Sequence, residues 1–166
     1  SLGVGAFYSS AIESLEIPEL QTTIADSLCY GCKSLQSIKV SSKTTTVGKC
    51  AFSVCLKLEN LTLPDNVSSI GESAFSECDS FTEFTIPKLT RVLNSGLFQN
   101  CDNLQKVNFH NEITSIGTFA FRNCTALTSI SLPELITHVP EGLFTGCRLL
   151  ESVTIPARVK TIYHSS

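Results

Sequence analysis

The chain repeats itself every 23 residues, and that period constrains the fold more than any other feature. With the aromatic of "AF" or "LF" as an anchor, the repeats align on Phe7, Cys29 (a substitute), Phe52, Phe75, Phe98, Phe121 and Phe144. The steps are 22 residues once and 23 thereafter. Three residues past the anchor stands a cysteine, from Cys32 and Cys55 through Cys78, Cys101 and Cys124 to Cys147, with Ser10 in the first repeat. Six past it comes Leu35, Leu58, Phe81, Leu104, Leu127 or Leu150. Nine and eleven past come apolar pairs such as Leu61/Leu63, Phe84/Ile86 and Ile130/Leu132, often followed by proline. A period of this length marks units that bury their apolar side only against their neighbours, so the chain is expected to stack as a solenoid.

Each unit reads as one coil. The segment around the apolar pair alternates apolar and polar residues, which predicts a short strand with one buried face. Proline directly after it suits a strand end. Gly48, Gly71 and Gly117, four residues before an anchor, read as turn residues able to take positive φ. The "AF-x-x-C" stretch is too short for an independent helix and predicts a single helical or 3₁₀ turn on the side opposite the strand. Residues 1–166 form one solenoid of seven repeats, and the absence of methionine, even at position 1, suggests a piece of a longer protein.

"A-F-x-x-C-x-x-L-x-x-I-x-I-P" with "I-G" before the next "A-F" resembles the BspA-type leucine-rich repeat, most clearly at 70–87 and 116–133. The resemblance implies an α/β, β-rich leucine-rich-repeat solenoid with one short parallel strand per coil. It also implies a surface protein concerned with adhesion, located at the cell surface or outside the cell, and carries no catalytic residue. Ordinary leucine-rich repeats place an asparagine after the strand. Asn66 fits that place, but Leu89, Leu135 and Arg158 do not continue it.

Composition excludes several classes. A net charge of -3 with pI near 5.6 gives no basic stripe for nucleic acid. No apolar run approaches the ~18 residues needed to span a bilayer. Six of the eight cysteines share one column, which favours a row of buried thiols donating weakly to backbone carbonyls. Their spacing also admits a disulfide, although parallel side chains suit its dihedral poorly. Zinc needs ligands converging on one point, which a row does not offer. Cys29 and Cys32 form a C-x-x-C only because Cys29 replaces an anchor phenylalanine. Cys50 lies off both columns and is expected to be the exposed, reactive thiol. His110, His138 and His164 fall in different columns, and the carboxylates are scattered, so no catalytic, metal or cofactor site can be assembled.

The alternation instead points to one face. Its outward residues form two columns, and the candidate protein-binding surface is Asn60, Thr62, Glu83, Thr85, Lys106, Asn108, Ser129, Ser131, Ser152 and Thr154. Serine and threonine dominate these columns, and their charges cancel. Solenoids bind along extended surfaces of this kind. The chain is therefore expected to be a non-enzymatic, protein-binding or adhesion module, with an intracellular scaffold or adaptor for a cytosolic partner as the alternative. Self-association through terminal repeats is expected as well, because neither end shows a polar cap.

Overall fold

A computed structural model describes residues 2–164. Two ribbons of parallel strands run along a stack of coils. The first is built from three-residue strands: β1 (Ser14–Glu16), β3 (Ser37–Lys39), β6 (Glu83–Thr85), β8 (Lys106–Asn108), β10 (Ser129–Ser131) and β12 (Ser152–Thr154). Asn60 supplies the place of the missing strand through a single bridge to Ser37. The second ribbon holds two-residue strands: β2 (Thr23–Ile24), β4 (Thr46–Val47), β5 (Ser69–Ile70), β7 (Val92–Leu93), β9 (Ser115–Ile116), β11 (His138–Val139) and β13 (Thr161–Ile162). Register follows the repeat, with Ile130 opposite Val153 and Val139 opposite Ile162. Every coil but that of Asn60 thus contributes two strands where the pattern predicted one. The second strand has only one inward residue, too few for alternation to show.

The expected helical turns are not found, for no helix occurs among the described residues. The backbone gives the reason. All fourteen positive-φ residues among the described ones lie two before or two after an anchor, from Gly5 and Ser9 to Gly142 and Gly146. Left-handed residues four apart, one on each side of the anchor, cannot propagate a right-handed helix. They divide the amide groups instead. Around Phe7, the N–H groups of Tyr8 and Ser10 donate within the coil, to Gly5 and Phe7 carbonyls at 2.9 and 3.0 Å. Those of Gly5, Phe7 and Ser9 donate to the next coil, at Asp26, Leu28 and Tyr30. The same split recurs in the following coils, so this segment is a third ladder between coils and not a helix.

Gly48, Gly71 and Gly117 do not hold the positive φ expected of them. They are needed for close approach. A Cβ on Gly48 would lie 2.5 Å from the Asp26 amide nitrogen of the preceding coil. Between the ladders the core is a file of stacked rings and aliphatics. Phe52, Phe75, Phe98 and Phe121 are fully buried, with successive centroids 5.8 to 6.0 Å apart.

The cysteine column behaves as a row of thiols. Each Sγ–H donates to the anchor carbonyl of the preceding coil: Cys32 to Phe7, Cys55 to Cys29, Cys78 to Phe52, Cys101 to Phe75, Cys124 to Phe98 and Cys147 to Phe121, at 2.9 to 3.2 Å. All eight cysteines are free. Burial pushes the Cys55 thiol up to about 12 and that of Cys147 to about 11, so both are neutral donors at physiological pH. Cys50 is not the exposed, reactive thiol predicted. It is half-buried in a left-handed position, and burial raises its pKa, which disfavours the thiolate.

Candidate functional site

The three-residue ribbon turns its alternate side chains to solvent, so the two outward columns lie side by side along one face. Asn60, Thr62, Glu83, Thr85, Lys106, Ser129, Ser131, Ser152 and Thr154 are all exposed. Asn108 is half-buried because its Nδ2 donates to Glu83 Oε1 at 2.7 Å and to Thr85 Oγ1 at 3.1 Å.

The charges on this face neutralise one another across coils. Lys39 Nζ lies 2.6 Å from Glu16 Oε1, and Lys106 Nζ lies 3.1 Å from Glu83 Oε1. The Asn108 amide and then Lys106 hold the Glu83 carboxyl below its ordinary range, and Glu16 raises the Lys39 ammonium. These pairs are well exposed and stabilise the fold little. Their consequence is a face with fixed polarity and no net field.

Two grooves are lined by the outward columns, and a third adjoins them at Asn60. The larger, of about 630 Å³, lies over β8, β10 and β12 and includes Lys106, Asn108, Ser129, Ser131, Ser152 and Thr154. The smaller, of about 320 Å³, is lined by Asn60, Thr62, Glu83 and Thr85. All ten residues singled out from the sequence therefore line one groove or the other. Phe109 and His110 also line the larger groove and were not anticipated. His110 occupies the column that holds Pro64, Pro87, Pro133 and Pro156, and this departure was the available signal. Its Nδ1 accepts the Glu112 N–H at 3.2 Å, while its Nε2 is buried with no partner among the described residues.

No group of three or more potential metal ligands is found among the described residues. No helix among them is long and apolar enough to cross a membrane. Cys29 and Cys32 are both buried in the stack, in keeping with their place in the repeat.

Comparison with known proteins agrees with this architecture. A leucine-rich repeat protein of T. pallidum superposes with a TM-score of 0.64 at 25% identity, over 96% of this chain and 64% of that one. A leucine-rich repeat protein of Eubacterium ventriosum gives a TM-score of 0.83 at 23% identity, over 95% of this chain and 43% of that one. The pneumococcal vaccine antigen PcpA gives 0.62 at 24% identity, over 92% and 47%. The chain thus spans less than two thirds of the length of these solved structures. No curated protein matches it in sequence. The model of the BspA-type leucine-rich repeat region matches six copies, over residues 1–114 and 46–166. With the period, the coil and the family model in agreement, the chain belongs to the BspA-type leucine-rich repeat family.

Proposed function

We propose that the chain is a non-catalytic protein-binding module that engages its partner along the three-residue strand face, as part of an adhesion protein at the cell surface. One observation carries this reading. Ten outward residues from five successive coils line two grooves on one face, and that face is rich in hydroxyls and amides with its charges paired internally. Such a surface offers many short hydrogen bonds and little long-range attraction, which favours selectivity set by contact over steering by charge. The family and a vaccine antigen among the structural neighbours support the surface location.

The test is capture of protein ligands by the immobilised chain, from extracellular matrix and from cytosol in parallel. A ligand of this face is lost when Ser131→Arg and Ser152→Arg are combined and is retained with Arg148→Ser, which lies in another column. Retention by the double arginine variant would remove this face from the binding reaction. A second reading, an intracellular scaffold, draws on the eight free cysteines, since free thiols persist in reducing compartments. Ligands found only in the cytosolic arm would favour it.

A further inference from the structure

The strand ribbon on the binding face is not continuous. β1 pairs with β3, β6 with β8, and β10 with β12. No pairing joins the coil of Asn60 to β6, or β8 to β10. In the closed pairs two backbone bonds flank the strands. At the entry, Gln105 N–H donates to Thr82 O and Glu151 N–H to Thr128 O, both at 2.9 Å. At the exit, Ile86 N–H donates to Asn108 O at 3.1 Å and Leu132 N–H to Thr154 O at 3.0 Å. The equivalent bonds are missing from both openings. Between β8 and β10, no hydrogen bond among the described residues joins Thr128 N–H to Gln105 O, or Phe109 N–H to Ser131 O. Thr82 with Glu59 and Leu63 with Thr85 are likewise unjoined at the other opening.

Oversized side chains accompany both openings. Phe109 stands in the column of Ile86 and Leu132, edge-on to Phe121 with centroids 6.2 Å apart. Phe81 and Phe84 stand in columns filled elsewhere by leucine, isoleucine or valine, and pack on each other and on Phe75. Rings of this size add volume that a packed core takes up only with a backbone shift. Both grooves lie over these openings: Phe109 and Ser131 line the larger, Leu63 and Thr85 the smaller.

We propose that the two ladder openings are clamps for side-chain carboxamides of the protein partner. This rests on the binding face assigned above. Each opening presents a donor and an acceptor that would otherwise satisfy one another, so an inserted group must accept and donate at once. A carboxylate only accepts, and an ammonium or guanidinium only donates. A carboxamide carries a carbonyl and an NH₂ side by side and bridges the pair from Phe109 N–H to Ser131 O. The second pair, Thr128 and Gln105, lies at the other end of the strand, roughly 13 Å away at about 3.3 Å per residue. The fitting ligand is therefore an extended peptide with Asn or Gln at positions four apart.

Residue-resolved hydrogen exchange on the full chain tests the openings first. Phe109 and Thr128 amides are expected to exchange much faster than those of Ile86, Gln105, Leu132 and Glu151. Equal protection at all six would show a closed ladder and overturn the proposal. The probe is then acetyl-Gln-Ser-Ser-Ser-Gln-amide, with Glu and Ser in place of Gln as controls. At about four times its Kd the Gln peptide should slow exchange at Phe109 and Thr128 about fivefold, the mass-action factor. Slowing by the Ser peptide to the same degree would identify a hydroxyl site and overturn the carboxamide assignment, as would slowing by the Glu peptide. Phe109→Leu restores the column residue and should close the ladder, protect the Thr128 amide and abolish the effect of the Gln peptide. If the openings ignore the Gln peptide while protein capture still depends on Ser131 and Ser152, this inference fails and the binding face stands. If the Gln peptide binds but capture ignores those residues, the face assignment fails instead.

Discussion

A thiol is a weak hydrogen-bond donor, yet here it is placed where a weak donor suffices. The anchor carbonyl already accepts the N–H of its own coil's cysteine, as Phe98 O does from Cys101 at 3.2 Å. Its second lone pair takes the Sγ–H of the next coil's cysteine, as Phe98 O does from Cys124, also at 3.2 Å. A serine hydroxyl is more costly to desolvate, and its shorter bond to Cβ leaves it short of this carbonyl. Cys101→Ser is therefore expected to cost about 1–3 kcal/mol in urea denaturation. Cys50→Ser should cost close to nothing, because Ser27 and Ser73 hold the same left-handed position in neighbouring coils. Equal losses for the two would show that the thiol row does not contribute. The same row sets an alkaline limit. A thiol whose folded pKa lies above its unfolded value stabilises the fold fully below the unfolded pKa and loses that contribution as pH rises through the folded one. With Cys147 at about 11 and Cys55 at about 12, against 9.0 unperturbed, the urea midpoint should hold up to about pH 9 and fall beyond it. A midpoint unchanged to pH 11 would contradict the burial of these thiols.

At the scale of the coil, the period, the anchors, the long strand and the outward columns were all legible in the sequence, because each depends on side-chain type at a fixed position. The left-handed columns were not. They hold Gly5, Ser27, Cys50, Ser73, Gly96, Phe119 and Gly142 on one side of the anchor, and only Phe119 departs from small residues. On the other side stand Val54, Glu77 and Asn123, residue types that carry no shared signal for positive φ. What holds them there is the inter-coil ladder, a tertiary term that overrides local preference. The ladder openings were illegible for a related reason: Phe109 and Phe84 satisfy the apolar pattern, which carries no signal of how neighbouring coils pair. Two glycine substitutions separate the two roles of glycine. Gly48→Ala places a Cβ against the backbone of the preceding coil, and overpacking of this kind costs about 1–3 kcal/mol. Gly96→Ser adopts the residue of its own column, meets the movable Ser73 hydroxyl at 2.8 Å and the Gln99 side chain at ordinary contact distance, and should cost about 1 kcal/mol or less for its φ of 63°. The reverse order of stabilities would mean that φ, and not close approach, is what the glycine column supplies.

At the scale of the whole molecule, the backbone bonds that the anchor segment makes between coils at three alternate amides all run one way, against the direction of the thiol row. From Gly5 to Asn123, the N–H two before the anchor, at the anchor and two after it donates to the following coil. The last coil is left with the N–H groups of Gly142, Phe144 and Gly146, which have no partner among the described residues. The first coil correspondingly presents carbonyls that take no inter-coil N–H from a preceding coil among the described residues. Among the described residues, most of the exposed large apolar side chains lie at the same two ends, with Val4, Tyr8 and Leu20 at one and Leu149, Ile155, Ile162 and Tyr163 at the other; only Leu89 and Val92 lie between. A donor row beside apolar surface matches an acceptor row beside apolar surface, and head-to-tail contacts of this kind do not close on themselves. In the 166-residue chain by itself, we expect the weight-average mass from light scattering to rise with concentration into the high micromolar range. Ile162→Lys should suppress that rise without lowering the denaturation midpoint, since Ile162 is 58% exposed and adds little to the core. A mass that stays monomeric across the series would mean that water satisfies the open donors well enough. An unchanged rise in Ile162→Lys would place the contact elsewhere on the molecule.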